Sequence, residues 1–96
     1  MTFLVAVHKD PQSSYGVSVP DLPGCVTAGD TIGEALRMAK EAIELHLEGM
    51  LDDSVELPEP SEDIERLKAD PDFADASFWA AVDVHLDWKR SSTTAA

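Results

Sequence analysis

Hydrophobic and polar positions alternate over the first quarter of the chain and then switch to a helical period. Residues 3–8 read Phe-Leu-Val-Ala-Val-His, an apolar, β-rich run of strand length. Lys9-Asp10-Pro11-Gln12-Ser13-Ser14 is turn chemistry. Residues 15–19 then alternate Tyr-Gly-Val-Ser-Val, which predicts a second strand closing a hairpin on the first. Pro20 and Pro23 break the ladder because proline has no N–H to donate. Gly24 permits a sharp turn, and residues 25–28 form a short third strand.

A helix over residues 31–51 follows. Thr31 is placed to cap it, and Glu34 stands three residues later at capping-box spacing. Ile32, Ala35, Leu36, Ala39, Ile43, Leu47 and Met50 fall on one face at three- and four-residue intervals, with Arg37, Lys40, Glu41, Glu44 and Glu48 on the other. Residues 55–60 are an acidic, proline-bearing connection. Ser61 is a cap for a second, shorter helix with Ile64 and Leu67 inward, and Asp70-Pro71-Asp72 stops it. Residues 78–88 alternate again as a last strand, with Phe78, Ala80, Val82, Val84, Leu86 and Trp88 on one face and Trp79, Ala81, Asp83, His85 and Asp87 on the other.

The predicted order is strand, strand, strand, helix, helix, strand. This is an α/β chain of two-layer α+β type with a mostly antiparallel sheet, sheet order third, second, first, fourth, and helices on one face to bury their apolar stripes. A right-handed crossover would set the fourth strand parallel to the first. One domain is predicted at residues 1–88, with a small, polar, disordered tail at 89–96.

With 96 residues there is room for one small domain and a modest core. No apolar run has the length of a membrane span. Met1-Thr2-Phe3 lacks the basic start of a signal peptide, so a cytoplasmic protein is expected. The single cysteine, Cys25, excludes an internal disulfide and suits a reducing compartment.

Charge changes the picture most. Nineteen acidic side chains against seven basic ones leave a net charge of -12. Such a chain repels phosphate backbones, so direct nucleic-acid binding by this segment is not expected, whereas a basic protein would be attracted. Chemistry is sparse. A two-metal nuclease needs converging carboxylates, one of them inside the first strand, and that strand contains none. His8, His46 and His85 are too widely spaced to suggest a zinc site. Cys25 reads as a small buried residue. No enzyme activity, metal or other cofactor is implied.

From Tyr15 onward the residues Tyr-Gly-Val-Ser-Val-Pro-Asp-Leu-Pro-Gly-Cys, then Thr27, Gly29-Asp30-Thr31, Glu34-Ala35-Leu36 and Ala39-Lys40-Glu41-Ala42, resemble the HicB antitoxin family. The resemblance is detailed over residues 1–51 and continues in element order to residue 88. It implies a partial RNase H-like fold without the metal-binding carboxylate set. It also implies a toxin–antitoxin role in which the chain covers the active surface of a small, basic, mRNA-cleaving HicA-type toxin. Many members of that family carry a C-terminal DNA-binding domain, which here would begin after Lys89-Arg90; the expectation is that it was removed or lost, or that this is a solo form. A self-associating structural or regulatory module without a toxin is the alternative, and a homo-oligomer is expected in either case.

The candidate partner-binding residues follow from these readings. Asp21, Leu22 and Pro23 form a rigid loop that either serves only the turn or also meets a partner. Trp79 and Trp88 fall on opposite faces of the last strand, so one of them needs cover from outside the core. Tyr15 leads the second strand of the resembling motif. Glu56, Glu59 and Glu62 carry the acidic field on an exposed connection. Thirteen of the nineteen acidic residues lie between positions 41 and 75, against only Arg66 and Lys68.

Overall fold

A computed structural model describes residues 1–9, 11 and 14–85. The first strand, β1 (Thr2–Lys9), is central. It pairs antiparallel with β2 (Tyr15–Ser18) on one side and with β4 (Phe78–Asp83) on the other, and β2 pairs antiparallel with β3 (Val26–Gly29). The sheet order is β3-β2-β1-β4, as the pattern predicted.

The β period decides what enters the core. Phe3, Val5 and Val7 of β1, Val17 of β2 and Val82 of β4 point to one face and are buried. The helix α1 (Ile32–Asp52) lies over that face with Ala35, Ala39, Ile43 and Leu47 fully buried. Removing a side chain such as Ile43 or Leu47 from water contributes about 1.5–3 kcal/mol each. Leu36 and Met50 pack at the margin of this core, while Ile32 is 42% exposed at the first turn and leaves the expected stripe.

The helix begins where its caps require. Thr31 is the N-cap and its Oγ1 accepts the Glu34 N–H at 3.0 Å. The Glu34 carboxylate accepts from the N–H of Asp30, one residue before the position of the usual reciprocal bond. At the other end Ser54 adopts a left-handed φ of 59°, and Val55 N–H closes on the Met50 carbonyl at 2.8 Å.

Three expectations are corrected. First, β4 runs antiparallel to β1, not parallel. The crossover rule assumes that the helix delivers the chain directly into the strand. Here residues 53–77 travel back along the sheet, so the chain enters β4 beside the end of β1, where Ser77 N–H meets the Val7 carbonyl at 2.7 Å. Second, only α1 covers the core face. Trp79 is the cross-strand partner of Ala6, on the opposite face, and meets Phe73 edge-on at 6.0 Å. Phe73 belongs to a 3-10 turn (Pro71–Phe73) that shares a shallow recess with α2 (Ile64–Lys68) and Trp79, so both small helices lie on the far side of the sheet. They shield a face that the amphipathic pattern of α1 could not report. Third, Ser61 is not the cap of α2. Asp63 is, accepting the Arg66 N–H at 3.2 Å. In β4, residues 84 and 85 are described but are not strand; Leu86, Asp87 and Trp88, and the tail expected at 89–96, lie outside the described residues.

Helix and sheet approach one another closely at Gly29, which is buried at the end of β3. A Cβ placed there would sit 2.5 Å from the Ala35 backbone nitrogen, closer than atoms can pack. Gly29→Ala should therefore destabilise the domain by about 1–3 kcal/mol, because the neighbouring atoms are backbone and cannot swing aside. Gly49→Ala, on an exposed part of α1 with nothing within 4 Å, should instead stabilise by about 0.5–1 kcal/mol. Urea unfolding of the two variants checks the opposite signs.

Candidate partner-binding surface

The loop between β2 and β3 is built by its own backbone. Leu22 N–H donates to the Val19 carbonyl, Cys25 N–H to the Leu22 carbonyl, and Val19 N–H to the Cys25 carbonyl, at 2.9–3.2 Å. Gly24 takes a φ of 87°, which an L side chain would strain. The loop drives Leu22 inward, where it is 2% exposed and closes one end of the core. Leu22 is therefore a core residue and not the exposed anchor that its place between two prolines suggested. Pro23 and Gly24 form the exposed crest.

Asp21 has a different task. Its carboxylate accepts both the backbone N–H and the hydroxyl of Ser61, each at 2.7 Å in a partly buried setting. Forty residues separate the two. This paired contact ties the acidic connection to the β2–β3 loop, and Leu57 adds an apolar attachment to the core. Residues 54–63 are thus fastened at both ends and in the middle: by the turn after α1, by Leu57 and by Ser61.

The fastening presents charge. Glu56, Glu59 and Glu62 are all exposed, and no basic side chain is paired with any of them among the described residues. Glu59, Pro60 and Glu62 form a cleft with Thr2 of β1, whose hydroxyl donates to Asp83 at 3.1 Å. Asp21, Glu59 and Glu62 therefore come together at the end of the sheet where β1 begins. Tyr15 lies at the other end, half-buried, with Lys9 Nζ 4.9 Å above its ring. Trp79 is half-buried against Phe73 on the far face. Trp88 lies outside the described residues. The structure gathers three of the nine candidates, sets Glu56 and Pro23 on exposed backbone near their sequence neighbours, and separates Tyr15 and Trp79 from them.

Sequence reasoning missed Ser61 as a tether and Thr2 and Asp83 as neighbours of the acidic cleft. Ser61 and Asp63 are both good N-caps, so the choice between them was open to local chemistry; the 40-residue contact with Asp21 has no local signal.

The side chains capable of other chemistry lie apart from one another. Among the described residues no three or more His, Cys, Asp or Glu side chains gather as a metal site. His8 Nδ1 lies 3.4 Å from Asp75, and His85 Nε2 lies 3.1 Å from Asp83, on separate parts of the surface. Cys25 is buried and unpaired, and burial pushes its thiol above the usual value, the reverse of what activates a nucleophile. No described helix is long and apolar enough to cross a membrane.

Comparisons with known proteins agree with this picture. Residues 3–94 match the family described as HicB-like antitoxin of bacterial toxin–antitoxin system. An uncharacterised 14.9 kDa protein of Haemophilus phage HP1 is 48% identical over 86 residues, covering 90% of this chain and 62% of the phage protein. The Escherichia coli K12 antitoxin HicB is 33% identical over 61 residues, 64% of this chain and 44% of that protein. The chain thus spans less than two thirds of the length of both. Among solved structures, the N-terminal domain of Burkholderia pseudomallei antitoxin HicB superposes with a TM-score of 0.77 at 42% identity, covering 90% of this chain and all of that domain. A chain from a HicA3 and HicB3 toxin–antitoxin complex superposes with a TM-score of 0.72 at 26% identity, covering 88% and 99%.

Two outcomes follow from the site itself. Asp21→Ala, which removes both bonds, should destabilise by about 1–3 kcal/mol; Ser61→Ala keeps the backbone N–H bond and should cost less, and the double variant should lose little more than Asp21→Ala alone. Limited proteolysis should then cut first within residues 54–63. For Cys25, a raised folded pKa means that its protonated form favours the fold. Its contribution to stability is complete below the pKa of the unfolded thiol and is lost as pH rises from there through the higher pKa of the folded thiol. Alkylation of the native protein should correspondingly be slow and accelerate on adding denaturant.

Proposed function

The chain belongs to the HicB-like antitoxin family, and we propose that it neutralises a small, basic, RNA-cleaving toxin of HicA type by occupying the surface that the toxin offers to RNA. The observation that carries this reading is the fastened acidic segment, with Glu56, Glu59 and Glu62 exposed and without basic partners on the chain's described surface. A ribonuclease must present positive charge to its substrate, and an acidic protein surface can take the place of phosphate. Holding the segment by Asp21 and Leu57 lowers the entropy lost on binding, since the carboxylates are positioned before the partner arrives. Neighbours solved as toxin–antitoxin complexes support the same partner class. The domain contributes no reaction of its own in this reading; inhibition is occlusion.

Electrostatic steering acts mainly on encounter. Association with the cognate toxin should slow markedly as salt rises from low to physiological concentration, because the reach of the field shrinks to about 8 Å. Charge reversal at Glu56, Glu59 and Glu62 together should slow association by about tenfold or more at low salt and leave the melting transition in place. Stopped-flow binding across a salt series, with RNA cleavage as the functional readout, provides the check. An association rate independent of salt in an inhibited complex would remove the acidic segment from recognition.

A further inference from the structure

The far face of the sheet is covered less completely than the face under α1. There Trp79, the 3-10 turn and α2 surround a recess of about 340 Å³, lined by Ile64, Lys68, Phe73, Ser77, Phe78 and Trp79 with two alanines between them. That volume stands at the small end of ligand-binding clefts. The helix that forms one wall has no buried residue, and its Ile64 and Leu67 are only half-buried. A helix of five residues does not hold by itself and depends on what it packs against, so the gap between α2 and Trp79 is apolar contact left unmade. Two polar groups enter this setting. Lys68 belongs to a chain with nineteen acidic side chains, yet among the described residues no carboxylate pairs with it and none lines the recess. Asp75, which lies between the two alanines in the chain, is engaged by His8 at 3.4 Å. The Ser77 oxygen accepts the Lys9 N–H at 3.1 Å, which leaves its own O–H to donate.

We propose that this recess binds a small planar aromatic carboxylate, with its ring against Trp79 and Phe73 and its carboxylate on the Lys68 ammonium and the Ser77 hydroxyl. Each part of the ligand follows from a part of the wall. Aromatic rings meet aromatic surfaces with more energy than buried area alone supplies, and the edge-on contact of Phe73 with Trp79 at 6.0 Å already fixes two of them in place. An ammonium and a hydroxyl both donate, so the polar end of the ligand must accept, and the ammonium favours an acceptor that carries negative charge. A cationic ligand is repelled by Lys68, and a purely aliphatic one leaves both donors without a partner. The net charge of -12 is compatible with this preference: at physiological salt a field reaches about 8 Å, so a contact made directly on Lys68 is weakened little by acidic side chains elsewhere on the surface. Occupancy acts on the rest of the chain through α2, which continues directly from the acidic connection. A ligand seated between Ile64 and Trp79 holds α2 to the sheet and adds a second fastening beyond the Asp21–Ser61 contact. This inference rests on the recess and not on the toxin reading.

The test is a titration of the full chain with naphthaleneacetate at physiological salt, followed by NMR, with the neutral naphthaleneacetamide as the matched control. The expected result is saturable binding with a Kd of about 0.1–1 mM, a shift of the Trp79 indole N–H signal, and slower amide exchange across α2. The amide should bind about tenfold more weakly. Lys68→Met replaces an exposed side chain, so the fold should be retained. It should lower the affinity for the carboxylate to that for the amide and leave the affinity for the amide unchanged. Phe73→Ala should weaken both ligands alike; if that variant misfolds, Lys68→Met decides alone. No saturable shift at Trp79 up to about 10 mM overturns the proposal. So does equal binding of carboxylate and amide by the unaltered chain, or a preference for the carboxylate that survives Lys68→Met. Shifts confined to the exposed side of α1 overturn it as well, because the aromatic ring would then adsorb elsewhere.

Discussion

The close seating of α1 on the sheet is the constraint from which the rest of the architecture follows. Ala35 and Ala39 bring the helix backbone down to the strands, and Gly29 admits the Ala35 backbone where any side chain would collide. So close an approach buries Val5, Val7, Val17 and Val82 on one sheet face and places the helix chiefly over β2 and β3. The chain after α1 covers the other face with the segment that carries Phe73 against Trp79. That detour also delivers the last strand from the opposite direction. The antiparallel β4 and the division of the helices between two faces thus belong to one path of the chain after α1.

Charge is arranged around the same path. Among the described residues no polar or charged side chain is buried, and the core contains the thiol of Cys25 as its ionisable group. The acidic residues collect on the helix exterior and on the connection beyond it. Close carboxylates repel one another, and an unrestrained segment would relieve this by moving away from the body. The bonds from Ser61 to Asp21 oppose that tendency with a charge-assisted contact, and Leu57 opposes it with apolar burial. The acidic surface is thereby a property of the folded domain and not of a loose tail.

How much of this was legible depended on the range of the signal. Periods of two and of three to four residues carry β1, β2 and α1 almost to the residue, since Phe3, Val5, Val7, Ala35, Ala39, Ile43 and Leu47 report burial through local spacing. The Thr31 cap was equally local. Leu22 was misread because a hydrophobic residue between two prolines looks like a loop crest; only the backbone bonds of the turn show that it points inward. The role of Ser61 and the direction of β4 rest on partners many residues away, which no periodicity encodes. The exposed character of Glu56, Glu59 and Glu62 was readable from composition, but their fixation was not.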